Sequence, residues 1–144
     1  YDKVSNGLFI DPVKERAAIE EGVRKLQIKV AKTSDAVATL SGGNQQKVVI
    51  AKWLMSGPDI ILLNDPTRGI DVGTKQEIYR LMRDLADEGK TILFYSTDYA
   101  ELIGCCDRVV IMYDGAITAE LTGDAISEEA IIAASFNMNT QSAA

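Results

Sequence analysis

The fold is decided by residues 39–71, which read TLSGGNQQKVVIAKWLMSGPDIILLNDPTRGID. A Ser-Gly-Gly turn at residues 41–43 opens a helix, and Gly57-Pro58 ends that helix. A short apolar run at residues 60–63 follows and leads into Asn64-Asp65-Pro66. A helix that leads directly into a short aliphatic strand bounded by breakers indicates a layered α/β fold.

The turn at residues 41–43 has the chemistry of an anion site. Gly42 and Gly43 let the backbone approach a ligand closely. The free N–H groups and the positive dipole end of the following helix favour an anion such as phosphate. The Ser41 hydroxyl caps the helix or binds a phosphate oxygen, and an ordinary glycine-rich helix start is the alternative.

The helix after this turn is predicted to be amphipathic, and its tryptophan is assigned to the core rather than to a ligand. The polar side is assigned to Gln45, Gln46, Lys47 and Lys52, and the buried stripe to Val48, Val49, Ala51, Trp53, Leu54 and Met55. The run at residues 60–63 suits a strand buried on both faces of a mainly parallel sheet. Asp65 then lies just past the carboxyl end of that strand, in the crevice where α/β sheets bind ligands.

Helices and strands alternate along the rest of the chain. After a loop at residues 1–9, Asp11-Pro12 begins a helix that runs to about residue 26. The later predicted elements are a helix capped by Asp71 or Gly73-Thr74 and ended by Gly89, a strand at 91–95, a helix capped by Asp98, a strand at 108–113, a hairpin turn at Asp114-Gly115 with a strand at 116–121, and a helix from Ser127 to residue 134. This order predicts a largely parallel sheet flanked by helices, with one antiparallel hairpin late in the chain.

Composition narrows the classes of function. The 144 residues carry a formal charge of −6, which argues against a nucleic-acid binder and against a basic membrane-surface patch. No apolar run reaches the roughly 18 residues that a bilayer span needs. The chain has no histidine, so histidine acid–base chemistry and histidine metal sites are excluded within it. The adjacent Cys105 and Cys106 are interpreted as reduced core or interface thiols of a cytosolic protein.

Three segments together resemble one family. Residues 40–47, LSGGNQQK, resemble the signature motif of ABC-type ATPases; residues 60–65 resemble their Walker B strand, and residues 69–71 their D-loop. The NQQK ending and the run PTRGIDVG at residues 66–73 most resemble ATPase subunits of bacterial monosaccharide importers. In that group two ATPase halves are fused in one chain, and this sequence resembles the second half.

The resemblance implies a partial P-loop NTPase fold of the ABC type. Residues 1–56 would be the end of the helical subdomain with the signature and its helix, residues 57–136 the C-terminal part of the RecA-like core, and residues 137–144 a tail. The phosphate-loop pattern G-x-x-x-x-G-K-[ST] does not occur in the chain. In the family that loop precedes the signature, so we expect the first strands to be missing, with exposed apolar edges, marginal stability or pairing with another copy as the consequence. We also expect neither tight ATP binding nor hydrolysis by this chain alone.

The resemblance also implies roles for individual residues. The signature of one half closes over ATP held by the phosphate loop of the other half. Ser41, Gly42 and Gly43 would therefore contact the γ-phosphate of ATP on a partner half, and Gln45 would face the nucleotide. Asp71 would lie across the dimer interface near the partner's phosphate loop, and it can also cap the helix that follows it.

Three positions depart from the family pattern at this half's own site. Where the family has Asp-Glu for Mg²⁺ and the attacking water, this chain has Asn64 and Asp65. An amide lacks the negative charge that Mg²⁺ favours, and Asp is one methylene shorter than Glu. Thr97 stands where the family commonly has a histidine. If the strand register is shifted by one residue, Asp65 would be the metal ligand and no general base would follow it. A further alternative is that Asp65 is an ordinary turn residue before Pro66. We expect catalysis at this half's own site to be impaired.

The implied function is that of an ATP-binding and ATP-hydrolysing subunit, with Mg²⁺, that drives carbohydrate import from the cytoplasmic face of the membrane. Its implied partners are a second nucleotide-binding half in the same or another chain, the permease subunits and, indirectly, a solute-binding protein, without nucleic acid. One alternative is a catalytically degenerate half that only completes the partner half's ATP site. The other is a non-transport ABC-type ATPase of DNA repair or chromosomes, against which the acidic balance and the NQQK ending speak.

Overall fold

A computed structural model describes residues 4–6 and 9–136 of the chain. The helices are α1 (Pro12–Lys25), α2 (Gly42–Leu54), α3 (Val72–Asp87), α4 (Tyr99–Cys105) and α5 (Glu128–Ser135). The strands are β1 (Ser5–Asn6), β2 (Phe9–Ile10), β3 (Ile60–Asn64), β4 (Thr91–Tyr95), β5 (Arg108–Tyr113) and β6 (Ala116–Thr122). The tail predicted at residues 137–144 lies outside the described residues.

Side-chain caps set the starts of four helices, as the sequence predicts. Asp11 accepts hydrogen bonds from the backbone N–H groups of Val13 and Lys14 at the start of α1. Asp71, Asp98 and Ser127 cap α3, α4 and α5 in the same way. At the other end of α3, Gly89 takes a φ of 87°, the left-handed conformation predicted for a helix stop.

Strand pairing combines parallel and antiparallel ladders. β3 and β4 are joined through α3 and lie parallel, with the Thr91 N–H donating to the Asp59 carbonyl at 2.9 Å. β5 and β6 form the predicted antiparallel hairpin around Asp114-Gly115, whose φ angles are 48° and 76°. β1 and β2 also pair antiparallel. A loop was the wrong prediction for these two strands, because two-residue strands are too short to show a period-2 pattern.

The described residues form two compact parts, the first ending at Leu93 and the second beginning at Phe94. The first has a core of Leu26, Ile28, Ile50, Ala51, Ile61, Ile78, Leu81, Met82 and Leu85. The second packs Val109 and Ile111 of β5 against Ile131 and Ala134 of α5. The family-derived boundary after residue 56 falls inside the first part, and it stays a prediction.

The strand at residues 60–64 is buried on one face only, which corrects the expectation of burial on both faces. Ile61 is buried, whereas Ile60 and Leu62 on the opposite face are exposed. On β4, Leu93 and Tyr95 are exposed as well. The physical reason is that no element of the described residues covers this face. The predicted exposed apolar edges, marginal stability or pairing with another copy stay predictions.

The buried side of α2 also differs from the predicted one. Trp53 is 65% exposed, with the Lys52 ammonium 5.6 Å from the centre of its ring, and Val49 is exposed as well. Ala51 is buried as predicted, and Ile50, which was not assigned to the buried stripe, is buried as well. The helix is apolar on more than one side, so periodicity alone could not select the face that packs.

Within the described residues, no helix is long and apolar enough to cross a membrane.

The two cysteines are reduced and partly buried, as predicted. Cys106 packs against the core cluster of the second part. Packing of this kind is the behaviour of a small apolar residue.

Candidate functional site

The serine of the 41–43 turn occupies the N-cap position of α2 without capping it through its side chain. Its backbone is extended, with φ −61° and ψ 153°, and the first helical hydrogen bond runs from the Gln45 N–H to the Ser41 carbonyl at 2.9 Å. The Ser41 hydroxyl instead accepts a hydrogen bond from the Asn44 side-chain amide at 2.9 Å. The N–H groups of the first helical turn have no intrahelical acceptor and no Ser41 cap, and Gly42 at the start of this turn is exposed whereas Gly43 is buried.

The two glycines of this turn have different environments. A Cβ atom placed on Gly42 would meet no atom within 4 Å, so this residue leaves open space at the helix start. A Cβ atom on Gly43 would lie 2.6 Å from Thr74 Cγ2 and 2.7 Å from Thr74 Oγ1. Gly42 is therefore open to a ligand, whereas Gly43 permits close packing of α2 against the start of α3.

Side chains of the NQQK segment hold the backbone that precedes the helix. The Asn44 Oδ1 atom accepts from the Lys29 N–H at 2.8 Å. The Gln45 Nε2 atom donates to the Leu40 carbonyl at 2.8 Å. Since Asn44 also donates to Ser41, this one side chain joins the turn to the irregular segment that contains Lys29. These bonds fix the approach of the chain to the turn.

Lys47 is buried, which corrects its assignment to the polar side of α2. Lys47 is only 3% exposed. Its ammonium group donates to the Glu77 carboxylate of α3 and, at 3.3 Å, to the Gln27 carbonyl. The Lys47 hydrogen bond holds the pKa of Glu77 below its usual range; desolvation opposes this shift, and the charges of Lys47, Lys29 and Arg80 reinforce it. A lysine is buried here because an acidic side chain of α3 meets it.

Asp71 caps α3 through two hydrogen bonds from one residue. Its Oδ1 atom accepts from the Thr74 N–H at 3.0 Å, and its Oδ2 atom accepts from the Thr74 hydroxyl at 2.7 Å. The backbone bond first, and then the hydroxyl bond, lower the pKa of this exposed carboxyl. The carboxylate is thus held ionised at the surface of the first part, in the position of a cap.

Asn64 and Asp65 stand at the end of β3, where the sequence predicts them. Asn64 is the last residue of the strand, and Asp65 takes a φ of 48°, in the left-handed region. The Asp65 carbonyl accepts from the Arg68 N–H at 3.2 Å, which closes a turn through Pro66. Asp65 therefore serves the turn through its backbone, and its role in chemistry stays a prediction. The described residues contain no group of three or more acidic or cysteine side chains arranged for a metal ion.

Thr97 lies in the second part of the chain and is exposed, between Ser96 and the cap residue of α4. Its neighbour Ser96 is buried and donates its hydroxyl to the buried Glu101 carboxylate at 2.7 Å. The same Ser96 oxygen accepts from the Asp98 N–H at 3.0 Å. This bonded pair fixes the backbone on both sides of Thr97.

Within the first part, Thr74 contacts both Gly43 of the 41–43 turn and Asp71, and Gln45 follows the turn on the same helix. The sequence predicts Thr74 only as a possible cap of α3, and it predicts neither the contacts of Asn44 nor the Lys47–Glu77 pair. Asp71 and Thr74 stand three residues apart, the spacing of an N-cap and its partner N–H, so this contact had a signal in the sequence. The contact between Gly43 and Thr74 joins residues distant in the chain and had none.

The profile of the ABC transporter family matches residues 3–68. The chain is 62% identical over 138 residues to ribose import ATP-binding protein RbsA 1 of Mesorhizobium japonicum, covering 96% of this chain and 27% of that protein. It is 48% identical over 126 residues to ribose import ATP-binding protein RbsA 2 of Streptomyces avermitilis, covering 88% of this chain and 25% of that protein. The chain therefore spans about a quarter of the length of the curated relatives it matches.

Solved structures of ABC cassettes share the fold. The twinned crystal structure of MJ1267, an ATP-binding cassette of an ABC transporter, superposes with a TM-score of 0.71 at 22% identity, covering 90% of this chain and 53% of that one. A dimeric bacterial ABC transporter cassette superposes with a TM-score of 0.69 at 26% identity, covering 82% of this chain and 50% of that one. These likenesses show the fold alone, and the sequence relatives and the family profile show that the chain belongs to the ABC-type ATPases.

Proposed function

We propose that this chain is the C-terminal part of the second nucleotide-binding half of an ABC importer ATPase that drives monosaccharide import, with ribose as the first candidate sugar. The observation that carries the proposal is the turn at residues 41–43. It presents the open Gly42 and the free N–H groups of α2, and the NQQK side chains fix its approach. The names of the sequence relatives supply the sugar and the direction of transport.

The turn would act on ATP held by the other half. Ser41 and Gly42 would bind the γ-phosphate, because a helix N-terminus with open N–H groups favours an anion. Gly43 would contribute only its backbone, because its Cα faces Thr74. Gln45 would act from the nucleotide side of the same helix turn, and its bond to the Leu40 carbonyl supports a positioning role. Asp71 would meet the partner half across the interface.

Mg²⁺-bound ATP supplies the phosphoryl group that water attacks when both halves close. At this half's own site, Asn64 offers an amide and Asp65 a short carboxylate, so one carboxylate stands where the family pattern has two. Thr97 offers a hydroxyl donor without charge. These residues fit Mg²⁺ poorly.

A second candidate function follows from this poor fit, namely a regulatory half that completes the partner's ATP site and performs no hydrolysis of its own. The left-handed backbone at Asp65 favours it, because a longer carboxylate such as Glu is less suited to that conformation than Asp. A regulatory role would then explain both the Asn64-Asp65 pair and the left-handed backbone at Asp65. Restoring Asn64→Asp and Asp65→Glu would change turnover little.

The whole protein would dock on permease subunits at the cytoplasmic face of the membrane and receive solute through a binding protein. Its two halves would close as a dimer, as in the dimeric cassette that shares the fold. This chain without a phosphate loop would neither bind ATP tightly nor hydrolyse it.

The test is ATPase turnover of a full-length chimera, in which this chain replaces the matching segment of the Mesorhizobium relative, assembled with its permease. The phosphate-loop lysine is replaced in one half at a time. Loss of turnover only after the first-half replacement supports the proposal and its regulatory form. Loss after either replacement shows that Asn64 and Asp65 support hydrolysis. Unchanged turnover on replacing Gly42 by glutamate contradicts the role of the turn.

A further inference from the structure

Two contacts fix the start of α3 against the first turns of α2. At the first, Gly43 lies so close to Thr74 that no side chain fits between them. At the second, the buried Lys47 ammonium pairs with the Glu77 carboxylate. Gly43 and Lys47 are four residues apart on α2, and Thr74 and Glu77 are three apart on α3, so each pair lies on one face of its helix. The two contacts together set both the distance and the register of the helices.

Thr74 connects this helix contact to the cap of α3. Its hydroxyl donates to Asp71 Oδ2 at 2.7 Å and its N–H donates to Asp71 Oδ1 at 3.0 Å. The same hydroxyl and the Cγ2 methyl are the atoms that face Gly43. One side chain thus touches both the 41–43 turn and the carboxylate of Asp71.

The adjacent Gly73 gives the carboxylate its space. A Cβ atom on Gly73 would lie 3.1 Å from Asp71 Oδ1, so a larger residue would press on the cap. Thr74 therefore holds the Asp71 carboxylate on one side, and the missing side chain of Gly73 leaves space for it on the other. The carboxylate has a defined position relative to the turn even though it is exposed to solvent.

We propose that Thr74 is a positioning residue that joins the 41–43 turn and Asp71 into one rigid body, so that both reach the partner half's nucleotide site in a fixed relation. The proposal rests on the proposed function, because it gives the turn and Asp71 a common target. Thr74 itself touches no ligand. Its hydroxyl orients Asp71, and its methyl group sets the spacing to Gly43.

Two substitutions separate these tasks. Thr74→Val keeps the branched shape against Gly43 and removes the hydroxyl donor. Thr74→Ser keeps the donor and removes the methyl contact. Both are made in the full-length chimera with the second-half phosphate loop disabled, so that turnover reports only the ATP site completed by residues 41–43. Gly42→Glu, which places a carboxylate where the phosphate would bind, serves as the control for the turn.

We expect Thr74→Val to lower kcat about 10-fold to 100-fold, since misplacement of a group by about 1 Å has an effect of that size. KM for ATP should stay unchanged, because the partner's phosphate loop holds the nucleotide before closure. Thr74→Ser should retain most of kcat. A wild-type kcat in Thr74→Val, together with loss in Gly42→Glu, overturns this proposal and leaves the proposed function standing. Unchanged turnover in both variants contradicts the proposed function itself.

A second readout separates positioning from a merely structural role. Carbon-13 NMR titration of the Asp71 carboxyl in this chain should show its pKa rising in Thr74→Val and staying low in Thr74→Ser, because only the first loses the hydroxyl bond. The positioning role would be overturned if Thr74→Val and Thr74→Ser lost kcat equally, lost folded protein to the same extent, and showed the same Asp71 titration.

Discussion

Gly43→Ala tests the close contact between α2 and α3. The added methyl carbon would lie 2.6 Å from Thr74 Cγ2 and 2.7 Å from Oγ1, which is closer than atoms in contact can lie, and 3.0 Å from Cβ, which is a tight contact. Thr74 is β-branched and its hydroxyl is bonded to Asp71, so it cannot turn away without losing that bond. Overpacking of this kind costs about 1–3 kcal/mol, and alanine recovers up to about 1 kcal/mol through its helix propensity. We expect a net loss of about 1–2 kcal/mol of unfolding free energy.

Gly42→Ala is the matched control in the same helix turn. Its methyl group meets no atom within 4 Å. The substitution should therefore leave stability unchanged or raise it by about 0.4–1 kcal/mol, because alanine restricts the unfolded chain more than glycine does. The difference between the two alanine variants then measures the contact with Thr74 rather than a general property of glycine.

The double variant Gly43→Ala with Thr74→Ala completes the cycle. Alanine at position 74 removes the two nearest atoms and leaves only Cβ at 3.0 Å. The two changes should be less destabilising together than the sum of each alone, with a coupling energy of about 1 kcal/mol or more. Urea unfolding followed by circular dichroism gives all the free energies. Equal effects of Gly43→Ala and Gly42→Ala, or a coupling energy of zero, would refute the close contact.

Three further predictions concern buried or constrained groups. Lys47→Met should lower the unfolding free energy by about 2 kcal/mol near neutral pH. The pKa of Glu77 is lower in the folded than in the unfolded chain, so the pair stabilises the fold above the unfolded pKa and stops doing so as pH falls through the folded pKa. The variant should therefore show a weaker fall of unfolding free energy at acid pH. Urea midpoints across that range check this, and an unchanged acid limb contradicts it. Asp65→Gly should stabilise the left-handed turn and Asp65→Val should destabilise it by about 1–2 kcal/mol, so equal midpoints for the two variants would be inconsistent with the backbone described here. Ser96→Ala should lower the free energy of opening that protects the α4 amides from hydrogen exchange by about 1–3 kcal/mol, because the buried Glu101 carboxylate loses a donor. Unchanged exchange rates would show that this bond contributes nothing.

Local chemistry made most elements predictable from the sequence. Asp11, Asp71 and Asp98 precede helices and cap them, and Gly89 and Asp114-Gly115 adopt the left-handed angles their positions suggest. These features depend on residues at most a few positions apart. The sequence pattern therefore contains the information that decides them.

The packing face of α2 depended on contacts that the local pattern does not contain. Lys47 is buried because Glu77 meets it from α3, and Trp53 is exposed because the described residues place nothing over it. The candidate site shows the same limit. The motif indicated residues 41–43, but only the structure separates the open Gly42 from the packed Gly43, because the difference lies in the position of Thr74.

The central claim is that the 41–43 turn closes over a nucleotide held by the other half, and ATP-dependent cross-linking tests it most directly. In the full-length chimera with Cys105 and Cys106 replaced by serine, one cysteine is placed at Ser41 and another beside the phosphate-loop lysine of the first half. We predict that a disulfide between them forms in the presence of ATP and is lost with ADP. Cross-linking that is equal with and without ATP would contradict the claim.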